Sequence, residues 1–404
     1  MDTKTMGNPE NNSLINECVF FILNLIERNG HEVRIVGGAV RDFLLGRQVS
    51  DIDMATSASP SEIIDICKQN GLTVIPIGLA HGSVAIIRGN NFYEITTLRE
   101  DIKTFGRRAE VKFSKSFEAD SLRRDFTINA MYMDKEGRIY DYHSGKEDIW
   151  KKNIRFIGDA RRRISEDYLR ILRYFRFVAG YGDYRCRAEY LQAIDEAKHC
   201  MNMLSSERIV AELLKIFKIS DSYRIIPPMR PVLDTLFSLK CDPFEICEKL
   251  GIFGLLSDEE RVAMLLRFSS DCNTMGKKYN FSKSIREMIM QRFGNNTSLD
   301  ASKQSLKRTK KSYRNFFSKF LAVNFYIIAG EDGAKSFLQQ LLAFCNSDYA
   351  DFLLKGSDLD EYRLSEAQLA EVMRAAKNFW LNNLVSTKEC GDFARQYISS
   401  SAIS

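Results

Sequence analysis

Val33-Arg34-Ile35-Val36 reads as a strand, Gly37-Gly38 as a tight turn, and Val40 to Leu45 as a short helix stopped by Gly46. Bare glycines between a strand and a helix let backbone N–H groups approach a phosphate at the helix N-terminus. A short distance on, Asp51-Ile52-Asp53 opens a second strand, Asp51 to Ala55. Alternate strand residues share a face, so the two aspartates are expected to point the same way while Ile52 faces the core. Two carboxylates on one side repel each other unless a hard cation sits between them. A phosphate-cradling turn followed by paired metal ligands is the pattern of nucleotide chemistry. An Asp-x-Asp triplet by itself is common, and its plain reading is a solvated turn. Its place after the glycine turn is what favours the chemical reading.

The chain has 404 residues, room for roughly two to four domains. Hydrophobic residues make up 45% and charged residues 27%, enough for a sizeable core and against wholesale disorder. The net charge of +5 permits a nucleic-acid partner without requiring one. Nine cysteines, Cys18, Cys67, Cys186, Cys200, Cys241, Cys247, Cys272, Cys345 and Cys390, include no Cys-x-x-Cys pair, so a zinc site is not expected. Their odd number and wide spacing fit reduced thiols, and the apolar run Val19 to Ile26 is too short to span a bilayer. A cytoplasmic protein without a membrane segment or secretory signal is expected.

Residues 1–13 read as a flexible tail, and 14–28 have helix periodicity through Leu14, Val19, Phe20, Leu23 and Ile26. Ser59-Pro60-Ser61-Glu62 is a capping box with proline at the first helical position, opening a helix that ends near Asn70-Gly71. Leu72 to Ile77, Ser83 to Ile87 and Phe92 to Thr97 read as strands, and Lys135-Glu136-Gly137 as a hairpin turn. Residues 99–121 are dense in charge and read as a mobile loop. From about Ser165 onward the spacing is helical almost to the end, as over 187–199, 205–218, 258–268, 335–345 and 365–384. The expectation is an α+β head over 14–150, a helical neck over 151–220 and a helical body and tail over 221–404.

Several residues then become candidates. Glu94, mid-strand, is either a third carboxylate or a surface-facing strand residue. Arg41 is either a triphosphate contact or an arginine paired with Asp42, and Arg124 is placed to hold a second phosphate or the sugar. Asp167, Arg170, Arg173 and Arg176, spaced by three, are expected to spiral along one helix beside the apolar stripe Leu169, Leu172 and Phe175. The plain reading is a solvated face held by Glu166–Arg170 and Asp167–Arg170 pairs, yet three arginines against two acids leave basic charge over. A carboxylate beside a guanidinium matches the amine-donor and ring-acceptor edge of adenine and cytosine and mismatches uracil and guanine. Asp167 and Arg170 therefore suit selection of ATP and CTP without a template. Two divalent ions at Asp51 and Asp53 would lower the pKa of an attacking hydroxyl and neutralise a triphosphate, and Mg2+ suits such oxygen ligands. Lys307, Arg308, Lys310, Lys311 and Arg314, interleaved with aromatics, suit an RNA backbone or a solvated helix face equally. His81 reads as structural, and the absence of a His-Asp dipeptide gives no support for an appended metal phosphohydrolase.

The segments Val36 to Asp42, Asp51 to Asp53, Arg123-Arg124-Asp125-Phe126-Thr127-Ile128-Asn129-Ala130 and Glu166-Asp167-x-x-Arg170 together resemble the class II tRNA nucleotidyltransferases. These are the CCA-adding enzymes and their bacterial poly(A) polymerase relatives. The likeness covers roughly residues 33–180 and implies a polymerase-β-type head of mixed sheet and helices, followed by helical neck, body and tail. It implies that Asp51 and Asp53 bind Mg2+ and that Gly37, Gly38, Arg41, Arg124, Asp167, Arg170, Arg173 and Arg176 contact the incoming ATP or CTP. It gives residues 99–121 the role of a flexible element in the switch from C to A addition, with Arg107-Arg108-Ala109 where Arg-Arg-Pro is common. The implied activity is template-independent addition of C, C and A to the 3′ end of tRNA. A CC-adding enzyme, a poly(A) polymerase and a catalytically silent RNA-binding relative are the alternatives.

Overall fold

The computed structural model describes residues 14–49, 51–89, 91–105, 108–239, 243–251, 253–269, 278–279 and 281–290. Beyond 300 it describes 302–303, 306–307, 334–336, 338–344, 347, 350–351, 353–362, 364–382 and 387–400. The chain divides into two compact units, Met1–Glu212 with Pro227–Leu236, and Leu213–Ile226 with Phe237–Ser404.

The first unit begins α1 (Glu17–Arg28), β1 (Val33–Val36), α2 (Gly38–Leu44), β2 (Asp53–Thr56), α3 (Pro60–Gln69), β3 (Thr73–Gly78), β4 (Ser83–Arg88) and β5 (Asn91–Thr97). A hairpin of β6 (Arg99–Phe105) and β7 (Arg108–Phe113) follows, then α4 (Phe117–Leu122), β8 (Met131–Met133) and β9 (Ile139–Asp141). Helices α5 (Gly145–Trp150), α6 (Ala160–Glu166), α7 (Arg170–Tyr181) and α8 (Ala188–Ala197) follow, then α9 (Ser206–Phe217), which belongs to this unit as far as Glu212. Seven strands form one mixed sheet in the order β3-β4-β5-β2-β1-β8-β9. Every neighbouring pair is antiparallel except β2 and β5, which run parallel with Asp53 opposite Glu94.

The two faces of this sheet differ. On one, α1 buries Val19, Ile22, Leu23 and Ile26, and α3 buries Ile63, Ile66 and Cys67. Ser59 caps α3 through the expected box, accepting from the Glu62 N–H while Glu62 accepts from the Ser59 N–H. Tyr93 faces this side, close to Cys18 of α1. On the other face, Val36, Ala55, Leu98, Phe117 and Tyr132 form a buried cluster, so α4 covers the β1 half of the sheet. Arg34 lies between the rings of Phe117 and Tyr140, 3.9 and 3.7 Å from their centroids.

Two expectations change here. The described part of residues 99–121 holds β6 and β7, paired from Arg99–Phe113 to Phe105–Arg108 with a shift between Asp101 and Lys103, and the start of α4. Charge density reads as a loop because a two-stranded ribbon outside the main sheet needs no apolar run. The second strand begins at Asp53, so strand alternation does not by itself orient Asp51.

After the sheet, Phe126, Phe156, Tyr174, Phe177 and Tyr190 stack into the aromatic core under α7 and α8. In the second unit, helices Glu366–Asn382 and Thr387–Ser400 close over Leu354, Leu359, Val372, Ala376, Ala394 and Ile398. No helix among the described residues is long and apolar enough to cross a membrane.

Gly145 admits no side chain, because a Cβ there would lie 2.2 Å from the Thr127 carbonyl oxygen. Replacing Gly145 by Ala should displace the Thr127–Asn129 turn and lower stability by about 1–3 kcal/mol in urea unfolding, as over-packing does. An unchanged midpoint would show that the turn gives way freely.

Candidate active site

β1 is followed by Gly37, whose φ of 75° lies in the left-handed region that favours glycine. The Gly37 N–H donates to the Met131 carbonyl at 3.1 Å, which pins the turn to β8. A Cβ on Gly37 would lie 3.6 Å from Arg124 Nη1, and one on Gly38 3.4 Å from Arg41 Nη2. The bare glycines thus make room for two guanidinium groups as well as for a ligand.

Across the sheet, the parallel pairing of β2 and β5 sets Asp53 directly beside Glu94. The Asp53 carboxyl is raised above its ordinary value by the surrounding protein first, then by Glu94, with Asp51 adding to both; Arg124 opposes them. Asp51 and Glu94 thus both act on Asp53, and Arg124, which acts on it too, reaches the glycine turn. Among the described residues, no group of three or more His, Cys, Asp or Glu side chains is close enough to enclose a metal ion. The fit to a hard cation lies in the chemistry of the donors: oxygen ligands at Asp53 and its two acidic neighbours, whose repulsion of the Asp53 carboxylate a positive charge would relieve.

Arg124 is held by a buried acid that the sequence does not single out. Asp120 accepts from Arg123 Nε at 2.8 Å, from Arg124 Nη2 at 3.1 Å and from the Tyr132 hydroxyl at 2.8 Å. Burial pushes Asp120 up, but Arg124 and Arg123 outweigh it and keep the carboxyl below its usual range. Arg124 stays charged, since Asp120 overrides the cost of its burial.

Arg41 takes its plainer reading and more. It is 7% exposed, pairs with Asp42 at 2.8 Å, and donates to Asn129 Oδ1 and to the Tyr181 hydroxyl, each at 2.6 Å. Asn129 donates in turn to Asp125 at 3.2 Å, and Asp125 accepts from Arg173 Nε at 2.6 Å. A chain of polar contacts thus runs from α2 through Asn129 and Asp125 to α7, returning at Tyr181.

The arginine series also differs from expectation. Asp167 is not on the helix with the arginines but in extended backbone between α6 and α7, where it accepts from the Leu169 N–H at 3.2 Å and from Arg208 Nη2 at 2.7 Å. Its partner is Arg208, not Arg170. Arg170 pairs with Glu166 at 2.7 Å and donates to the Arg163 carbonyl at 2.7 Å. Arg173 pairs with Asp125, and Arg176 with Glu212. The excess of basic charge disappears because two acids distant in sequence fold back onto the series. The apolar stripe is as expected, with Leu169, Leu172 and Phe175 buried.

Of the basic stretch, Lys307 is 3% exposed and donates to the Trp380 carbonyl at 2.9 Å, with its ammonium 4.8 Å from that ring. It is a core residue and offers nothing to an RNA backbone. Arg308, Lys310, Lys311 and Arg314 lie outside the described residues, as does Arg107.

The architecture is thus a mixed sheet with acidic side chains beside a glycine turn, followed by helices. Residues 33–155 match the poly A polymerase head domain family. The chain is 43% identical over 219 residues to the human mitochondrial CCA tRNA nucleotidyltransferase 1, covering 53% of this chain and 50% of that one. It is 42% identical over 199 residues to the CCA-adding enzyme of Oceanobacillus iheyensis, covering 49% and 48%. The chain thus spans about half the length of the curated relatives it matches. The crystal structure of Bacillus stearothermophilus CCA-adding enzyme in complex with CTP has the same fold, with a TM-score of 0.65 and 25% identity over 94% of this chain and 97% of that one. The Thermotoga maritima CCA-adding enzyme complexed with tRNA matches in fold at TM-score 0.65 and 18% identity, over 96% and 97%. The likeness therefore reaches the poly A polymerase head domain over residues 33–155 and the fold of CCA-adding enzymes over nearly the whole chain.

Asp125 is held at about 2: burial raises it, and Arg173, Asn129 and Arg170 bring it down. A carboxyl depressed on folding stabilises the protein above its unfolded value near 3.9, and that stability is lost as pH falls through about 2. Relative to wild type, Asp125→Asn should flatten the acid limb of stability between about pH 4 and 2, by on the order of 2 kcal/mol. Superimposable urea-midpoint curves for the two proteins would remove Asp125 from the acid response.

Proposed function

We propose that this protein adds C, C and A to the 3′ end of tRNA without a template, using CTP and ATP. The observation that carries the reading is the parallel β2–β5 pair, which sets Asp53 beside Glu94 with Arg124 linking them to the Gly37-Gly38 turn. The relatives and the structures with CTP and with tRNA, named above, support the same reading.

In this reading the tRNA 3′-hydroxyl forms a new P–O bond at the α-phosphorus of CTP or ATP. The bond to the α,β-bridging oxygen breaks, the hydroxyl proton is lost, and pyrophosphate leaves. Asp51 and Asp53 would hold Mg2+, with Glu94 as the third carboxylate. When bound, the metal neutralises the triphosphate and eases ionisation of the attacking hydroxyl. Arg124, fixed in place by Asp120 and Tyr132, gives the glycine turn a permanent positive charge facing the triphosphate. Arg41 supports the turn from below through Asp42 and Asn129, which makes it a positioning residue whose reach to phosphate is indirect.

Base choice falls to Asp167 and Arg170. Arg208 orients Asp167, and Glu166 with the Arg163 carbonyl orients Arg170, so the acceptor and the donor are each preset for one kind of base edge. Arg173 and Arg176 hold α7 to Asp125 and Glu212 and so fix the helix that carries Arg170. Cytoplasmic residence and the subdivision into head, neck, body and tail are part of this proposal.

The deciding assay offers tRNA lacking its last three nucleotides with CTP alone, ATP alone and both, and sizes the products. Two additions with CTP and three with both support CCA addition; two with both would mean a CC-adding enzyme, and long ATP-only tracts on unrelated RNA a poly(A) polymerase. Asp53→Asn should lower incorporation by at least about a thousandfold while tRNA binding survives, given the several kcal/mol that metal-assisted charge stabilisation supplies. Retained incorporation would exclude the metal assignment. Arg170→Ala should reduce the CTP-over-UTP ratio of kcat/KM by at least about tenfold. An unaltered ratio would take Arg170 out of base selection.

A further inference from the structure

One row of side chains crosses the sheet from β1 to β3: Val36, Asp53, Glu94, Ala85 and Ile75 are paired in turn. Residues two apart on a strand share a face, so Phe92 and Ile87, themselves paired, lie on the same face as Glu94 and Ala85. This is the face whose β1 half α4 covers. The β5–β3 half is different: Phe92 is 54% exposed and Ile75 41%. A large aromatic ring thus stands in solvent two residues from the carboxylate at Glu94. The residues of opposite parity, Tyr93 and Ile95, are buried on the α1 side, so the exposure of Phe92 is not a consequence of a frayed strand.

The position of this ledge relative to the carboxylates gives it a task, on the nucleotidyl-transfer reading above. The Gly37 turn and Arg124 lie on the β1 side of Asp53, which is where the leaving pyrophosphate belongs. Attacking and leaving oxygens stand roughly in line through phosphorus. The attacking hydroxyl must then arrive from the opposite side, over β5 and β4, and the nucleotide that bears it passes across Phe92, Ile87 and Ile75. Any base presents a π-face, so stacking on an aromatic ring holds it without regard to sequence. That property suits an acceptor whose last base changes with each addition.

We infer that Phe92 is the stacking platform for the 3′-terminal base of the acceptor RNA, with Ile87 and Ile75 forming the apolar ledge behind it. The contact is to the acceptor and not to the incoming nucleotide, which separates it from the base-selecting pair Asp167 and Arg170.

The test uses the full chain and tRNA lacking its last three nucleotides, with 2-aminopurine as its terminal base. Wild type should quench the 2-aminopurine on binding, Phe92→Ala should lose the quench, and Phe92→Tyr should keep it. In steady state, Phe92→Ala should raise KM for the acceptor about tenfold and leave KM for CTP unchanged. Because Phe92 is half-exposed, the alanine variant is expected to fold; matching circular dichroism and melting curves establish this. Equal quench and equal acceptor KM in wild type and Phe92→Ala, with wild type active, overturn the inference alone. A wild-type protein that adds no CMP to the acceptor overturns the nucleotidyl-transfer reading and the inference with it. A wild-type dimer that Phe92→Ala dissociates would make the ledge an interface between copies and would also overturn it.

Discussion

The carboxylate of Asp120 is the contact on which the site rests. It is fully buried, and it gathers Arg123, Arg124 and the Tyr132 hydroxyl around two oxygens. Removing a charge from water is costly unless the partners are themselves charged and well aimed. Asp120 itself lies on α4, and its partners come from two places: the segment that follows the helix, and β8. The arrangement therefore does two things at once. It ties the helix that roofs one half of the sheet to the sheet beneath, and it delivers a guanidinium to the glycine turn and to Asp53. The second polar chain, from Arg41 through Asn129 and Asp125 to Arg173, links α2 to α7 in a similar way. Between them, the two chains connect the glycine turn and Asp53 with the helix that carries Arg170, all within the first compact unit.

Much of the first unit is legible from local rules. Val33 to Val36, the capping box at Ser59, the strand after Gly82 and the turn at Lys135 to Gly137 each obey short-range chemistry, and the structure places elements there. What local rules miss is tertiary. The β6–β7 ribbon carries too much charge to announce itself as strand, and Asp53 rather than Asp51 begins β2 because the pairing with Val36 and Glu94 starts there.

The candidate site follows the same division. Residue type and order point to Asp51, Asp53, Arg124, Asp167 and Arg170. Asp120 and Tyr132 beside Arg124, Arg208 beside Asp167, Asn129 beside Arg41 and Glu212 beside Arg176 are hidden, because ordinary polar residues give no sign in sequence of which partner the fold brings to them. Counting charges along one helix suggested spare arginines on α7, whereas Arg170 takes the local Glu166 and the fold brings Asp125 and Glu212 from elsewhere to Arg173 and Arg176. Lys307 shows the converse error: a lysine in a basic run whose ammonium is satisfied by the Trp380 carbonyl and ring. The signal that was available for Asp125 and Asn129 is their place in the Arg123–Ala130 segment. That place marks importance without revealing that they bridge Arg173 to Arg41.

The single parallel pairing in the sheet has a consequence for how this architecture tolerates change. The chain leaves β2, makes an excursion through α3, β3 and β4, and re-enters as β5 alongside the strand it left. Since β2 and β5 contact each other directly, the spacing of Asp53 from Glu94 is set by their own hydrogen-bond ladder and not by the length of the detour. Residues can be gained or lost at the outer turns of that detour, at Asn70-Gly71 or Gly89, without shifting one carboxylate against the other. The outlying strands are thus free to diverge while the acidic pair stays in register.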